Sequence, residues 1–265
     1  MLHHEDAGQG PLIVLLHGVT ENSTAWEPVV GPLATTHRVL ALDLRGHGRS
    51  PAQPPYDMLT LAQDVRITLD ALAPQQPPLI IGHSLGAMVA TVYAAMHPVR
   101  AVVNVDQSLD LAHMQQTVLD LLPRLRTAQF TDALDAMFTQ LEAGALSPAE
   151  SARLKSLRRY ERDVVLGIWG GDLQQAPPTE LVNLAAGLLS AIRVPYLALH
   201  GSEPGPEYRT WLATTQPAVT VEVWPGCGHY PHLVHPERFV DRVRRMRLDT
   251  GPQQAPQEEA AGESP

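Results

Sequence analysis

A single cysteine, Cys227, is present in 265 residues, so no disulfide can form within the chain and a reducing compartment is expected. Basic residues are also in the minority: 19 against 28 acidic ones, a formal net charge of −9. No lysine- or arginine-rich tract offsets that excess, which argues against a nucleic-acid partner. No apolar run approaches the ~20 residues that a membrane-spanning helix requires. The opening residues, Met1-Leu2-His3-His4-Glu5-Asp6, lack the basic-then-apolar layout of a signal peptide. A soluble, cytoplasmic protein is expected, with no membrane partner. There is no internal repeat, and nothing in the sequence specifies an oligomeric state.

Apolar runs alternate with amphipathic ones over the first hundred residues. Residues 11–16 are apolar on both faces, as a buried parallel strand is; 38–43 and 101–105 read the same way. Thr24-Ala25-Trp26-Glu27 has the spacing of a capping box opening a helix. Leu61, Val65, Leu69 and Leu72 fall at helical spacing, which predicts a helix over 58–73. Strands alternating with helices imply a mostly parallel central sheet with helices on both faces, an α/β fold. The alternation then stops. Residues 107–190 hold only helical segments, over 109–122 and 130–143, from Ser147-Pro148-Ala149-Glu150, and from Thr179-Glu180 after two prolines. Strand character returns at 194–200 and 219–224. The expected organisation is a core of 1–106 and 191–249, a helical insertion of 107–190 over the carboxyl edge of the sheet, and a Pro-, Gln- and Glu-rich disordered tail from 250 to 265.

The most informative stretch is Leu79-Ile80-Ile81-Gly82-His83-Ser84-Leu85-Gly86, followed at once by an alanine-rich helical run. This is the layout of a nucleophile elbow, a serine on a sharp strand-to-helix turn. Gly82 and Gly86 keep side chains out of the bend, and the helix behind Ser84 turns N–H groups and a partial positive charge towards the reacting centre. A glycine-rich packing turn whose serine merely caps a helix would have the same letters. The strand before and the helix after favour the nucleophile.

Four motifs occur in an order that resembles the α/β-hydrolase superfamily. They are His17-Gly18 after a strand, the run from Asp43 to Ser50 (Asp-Leu-Arg-Gly-His-Gly-Arg-Ser), Gly82-His83-Ser84-Leu85-Gly86, and Gly226-Cys227-Gly228-His229-Tyr230-Pro231-His232. The resemblance extends from about residue 8 to 245. It implies a serine hydrolase with no cofactor and no metal, and it makes 107–190 a helical cap inserted after the sixth canonical strand. Before residue 11 there is room for at most one short strand, so seven strands or fewer are expected. In the family the catalytic histidine follows the last strand, which points to His229 as the base. The oxyanion donors are implied to be the backbone N–H groups of Val19 and Leu85. The acid is open between Asp106, which closes the strand after the elbow, and Glu203. Glu203 lies one residue short of the usual acid position, which Pro204 occupies. Asp106 is preferred because it ends an unambiguous strand.

Other groups read as structural. His17 and His47 belong to loop turns, and His83 should face away from Ser84. His229, His232 and His235 have ligand-like spacing but no accompanying carboxylate or thiolate pattern. Met114, Phe130, Met137, Phe138 and Trp169 are either an acyl or aryl pocket or, for most of them, ordinary core. Arg158-Arg159 is read as a solvated helix face rather than an anion site. The expected reaction is cleavage of a small or medium carboxylic ester, a small-molecule substrate, through an acyl-enzyme. A lactonase, a C–C bond hydrolase, a cofactor-free perhydrolase or a non-catalytic small-molecule receptor are the alternatives on the same fold.

Overall fold

A computed structural model describes residues 1–142 and 144–246; the tail expected over 250–265 lies outside them. Strands β1 (His4–Ala7), β2 (Leu12–Leu16), β3 (Arg38–Leu42), β4 (Leu79–His83), β5 (Ala101–Val105), β6 (Tyr196–His200) and β7 (Val219–Val223) form one seven-stranded sheet. Its order is β1-β3-β2-β4-β5-β6-β7. Short β1 runs antiparallel to β3, and all other neighbours are parallel. The one short strand that the N-terminus has room for is thus an edge strand.

β2, β4, β5 and β6 are buried along their whole length, which is why their sequences are apolar on both faces. Alternation divides their side chains between two layers. Val14, Leu16, Ile80 and Val102 face one, and Ile13, Leu15, Ile81 and Val103 face the other. Helices α2 (Met58–Leu72) and α3 (Leu85–Met96) cover the first face; α1 (Glu27–Ala34) and α12 (Pro236–Arg244) cover the second. Thr24 does not open α1. Instead Asn22 caps a 3₁₀ turn, Ser23–Trp26, by accepting from the Thr24 N–H, and α1 follows directly. A side chain two residues before the amide closes a tighter turn than the capping box needs.

Between β5 and β6, α4 (Leu111–Leu125), α5 (Phe130–Glu142), α6 (Pro148–Leu157), α7 (Arg162–Ile168), α8 (Asp172–Gln175) and α9 (Pro178–Ala191) follow without a strand among the described residues. Ser147 caps α6 by accepting from the Glu150 N–H at 3.2 Å. α4 packs on α9 and α9 on α3, so these helices rest on the sheet domain next to Ser84. The remaining helices, α10 (Pro206–Thr215) and α11 (Pro231–Val234), flank β7.

Candidate active site

The loops after β2, β4, β5 and β7 emerge at the carboxyl edge of the sheet, where open α/β sheets bind their ligands. Ser84 joins β4 directly to α3 with φ 51° and ψ −120°, a left-handed conformation that costs a non-glycine residue about 1–3 kcal/mol. The surroundings hold it there. Its N–H donates to the Val105 carbonyl at 3.1 Å, and its own carbonyl accepts from the Ala87 N–H at 2.8 Å. A Cβ on Gly82 would collide with the Gly86 carbonyl, and one on Gly86 with the Leu16 carbonyl, so both elbow glycines are required by close backbone approach.

Asp106 also has a positive φ, 53°, immediately after β5. Its N–H donates to the Leu199 carbonyl at 2.7 Å, which fixes the turn. One carboxylate oxygen accepts from the Gly201 N–H at 2.7 Å; the other lies 2.7 Å from His229 Nδ1. Burial would raise the Asp106 carboxyl, but the His229 hydrogen bond and charge, with the Gly201 N–H, outweigh it and hold the pKa below the ordinary value. Glu203 is elsewhere. It is exposed and paired with Arg209 at 2.5 Å.

His229 lies after β7 in a loop that leans on the helical segment, its N–H donating to the Leu141 carbonyl of α5 at 3.0 Å. His83 does not face empty space. Its Nε2–H donates to the His229 carbonyl at 2.9 Å, its Nδ1 is 3.6 Å from Glu21, and both rings border the cavity beside Ser84. Sequence reasoning did not single out Glu21. It is buried, and accepts from the Gly18 N–H at 3.2 Å and the Tyr230 hydroxyl at 3.0 Å. Burial would raise its carboxyl; His83 and the Arg158 guanidinium overrule that and hold it well below the carboxylate range. The signal available was a carboxylate three residues past His17-Gly18, in the loop that meets the elbow.

His17 bridges its own loop to the Leu44 N–H, and His47 bonds the Arg45 carbonyl, so both hold turns. The rings of His229 and His232 both pack on His83, at 4.6 and 4.8 Å between centroids; His232 is also buried against Trp26, and His235 lies beside Trp224. Arg158 is not on a solvated face. Its side chain is 4% exposed, bonded to Glu142 at 2.8 Å and to the Tyr230 hydroxyl at 3.1 Å, and lies over the Phe138 ring.

A cavity of about 650 Å³ connects these groups. Ser84, His229, Val19 and Leu85 border it, and neither the Val19 nor the Leu85 N–H has a hydrogen-bond partner among the described residues. Met114, Met137, Phe138 and Trp169 line it and at the same time pack in or against the main core cluster, so the two readings of them hold together. Phe130 does not line it; it packs under Arg162. A helical stripe looks the same in sequence whether the space opposite is filled or hollow.

Known proteins bear on this arrangement. A family model described as the alpha/beta hydrolase family matches residues 13–242. A 2-(acetamidomethylene)succinate hydrolase of Mesorhizobium japonicum is 30% identical over 253 residues, 89% of this chain and 87% of that protein. A pimeloyl-[acyl-carrier protein] methyl ester esterase of Aeromonas hydrophila is 28% identical, covering 91% and 97%. In fold, an esterase from Thermogutta terrifontis matches with a TM-score of 0.75 at 23% identity, covering 92% of this chain and 91% of that one. With the family model spanning most of the chain and its motifs on the loops that the sheet brings together, the protein belongs to the α/β-hydrolase family.

Proposed function

We propose that this protein hydrolyses carboxylic esters through an acyl-enzyme, with Ser84 as nucleophile, His229 as general base and acid, and Asp106 as the carboxylate that orients His229. The observation that carries the reading is the 2.7 Å contact between Asp106 and His229 Nδ1, with a serine in a strained elbow bordering the same cavity as His229. A carboxylate on Nδ1 holds the proton there and leaves Nε2 free to take one.

His229 Nε2 removes the Ser84 hydroxyl proton as Oγ forms a bond to the ester carbonyl carbon. The carbonyl oxygen becomes an oxyanion, and the unpartnered N–H groups of Val19 and Leu85 are the donors offered to it. Collapse breaks the bond to the leaving alcohol, which takes the proton from His229. Water repeats the sequence on the acyl-enzyme and releases the acid and the free serine. A lactone is the same ester closed on itself and enters the scheme unchanged. The substrate of the succinate hydrolase carries carboxylates, and no lysine or arginine lines this cavity among the described residues, so that activity is not carried over.

In this reading 107–190 is a cap whose helices close the cavity over Ser84, and the working compartment is the cytoplasm, consistent with a buried free thiol at Cys227. The test is a fluorophosphonate probe followed by intact mass. One adduct per chain on Ser84, lost in Ser84→Ala, supports the scheme. A non-catalytic receptor would give no adduct and no turnover of any ester.

A further inference from the structure

The walls of the cavity define what part of a substrate they accept. α3 starts at the nucleophile, and its Leu85, Met88 and Val92 all border the cavity. That is two helical turns leading away from Ser84, about 11 Å. Val118 of α4 and Leu181 and Leu188 of α9 also line the cavity, and α9 packs on both α3 and α4. Met88, Val92, Val118 and Leu181 are each at most 6% exposed, so the inner wall of this apolar arm is sheltered, and Thr117 and Leu184 form its exposed rim. Carbon–carbon bonds of ~1.5 Å at tetrahedral angles advance an extended chain by ~1.25 Å per carbon. The arm therefore matches an acyl chain of about eight carbons.

Charge narrows the choice further. The ionisable side chains bordering the cavity are Glu21, Asp57, His83, His229 and Tyr230, and no lysine or arginine does so among the described residues. Asp57 is committed to capping α2 through the Thr60 N–H and hydroxyl. Arg158, the nearest buried cation to Glu21's partner Tyr230, is already bound to Glu142. A carboxylate on the bound acyl chain would be desolvated with nothing to pair it.

From this we infer that the substrate is an uncharged ester or lactone with a straight hydrocarbon acyl chain of about eight carbons, and that an ω-carboxylate on that chain is rejected. The inference rests on the hydrolase reading above.

The experiment compares kcat/KM for p-nitrophenyl acetate, butanoate and octanoate with that for the p-nitrophenyl monoester of suberic acid, which matches octanoate in length but ends in a carboxylate. Burying one methylene is worth about fourfold (~0.8 kcal/mol), so octanoate should exceed acetate by at least about a hundredfold even with partial burial. The suberate ester should fall at least about a hundredfold below octanoate. Val92→Phe, which fills the arm, should cut the octanoate-to-acetate ratio at least tenfold. If that buried change prevents folding, Thr117→Lys is the alternative. Thr117 is an exposed residue bordering the cavity beside Val118, and a lysine there should raise the suberate-to-octanoate ratio at least tenfold. A flat profile from acetate to octanoate, or suberate equal to octanoate, overturns the inference while leaving the hydrolase standing. If no ester turns over and Ser84 takes no phosphonate, the hydrolase reading fails instead. The arm is then read by calorimetry on Ser84→Ala: binding of methyl octanoate but not of monomethyl suberate upholds it, and equal or absent binding overturns it.

Discussion

Replacing Asp106 by asparagine tests the orientation of His229 with almost no change in shape. One oxygen of Asp106 must accept from the Gly201 N–H at 2.7 Å, so the asparagine carbonyl takes that position. Its NH₂ group then occupies the place 2.7 Å from His229 Nδ1. An NH₂ group can only donate, so Nδ1 must accept and the ring proton moves to Nε2. With Nε2 protonated, His229 cannot take the Ser84 proton. The same change in serine proteases lowers kcat about 10⁴-fold, or ~5.4 kcal/mol of barrier, with the geometry kept. Turnover of p-nitrophenyl butanoate should fall by that order, and the far-UV spectrum should be unchanged. Glu203→Gln, made in parallel, should stay within about twofold, since it loses only an exposed pair with Arg209. If Asp106→Asn keeps more than a tenth of the activity, Asp106 does not orient the base; if Glu203→Gln collapses it, the later loop supplies the acid.

Ser84→Ala should remove at least about a thousandfold of turnover without loss of fold, whereas Ser84→Gly should also raise the unfolding free energy by about 1 kcal/mol, because glycine relieves the positive φ; a lower midpoint in urea for Ser84→Gly would contradict the strain. Glu21→Gln should cost about 1–3 kcal/mol at pH 7. The folded pKa of Glu21 lies below its ordinary 4.5, so its stabilisation is full above that value and lost as pH falls through the folded pKa. The difference between wild type and variant in urea should therefore narrow from pH 7 to pH 3, and a constant difference would remove the charge from the explanation. Excising residues 110–185 should expose the apolar ends of α3 and β5 and cause aggregation at micromolar concentration. A monodisperse product by light scattering with unchanged ester selectivity would deny that segment any part in the cavity.

The sheet was legible because its strands carry their own signature. Leu12–Leu16 and Ala101–Val105 are buried on both faces and apolar at every position except Asn104, so little besides β2 and β5 fits them. The elbow was legible because it is local, with Gly82, Ser84 and Gly86 acting within one turn. α7 and α8 left too short a periodic record, seven and four residues, to be distinguished from loop. Asp106 and Glu203 could not be separated by spacing alone, because what distinguishes them is the reach to an imidazole 123 residues further along the chain from Asp106. The Glu21–Tyr230–Arg158–Glu142 network was invisible for the same reason. Its members come from a β2 loop, a β7 loop, the last residue of α5 and the residue after α6, and no periodicity links them.

The bond from the His229 N–H to the Leu141 carbonyl has a consequence for engineering. The catalytic core and the helical segment are not interchangeable modules, because the backbone of the proposed base rests on the end of α5. Gly228, at φ 53°, lies so close to the Leu141 and Glu142 carbonyls that an added Cβ would press on both at about 3 Å. A chimera that grafts α4–α9 from a relative to change specificity must therefore bring a carbonyl to the same place. A graft chosen by cavity shape alone would lose rate through a displaced histidine, although no residue of the core had been altered.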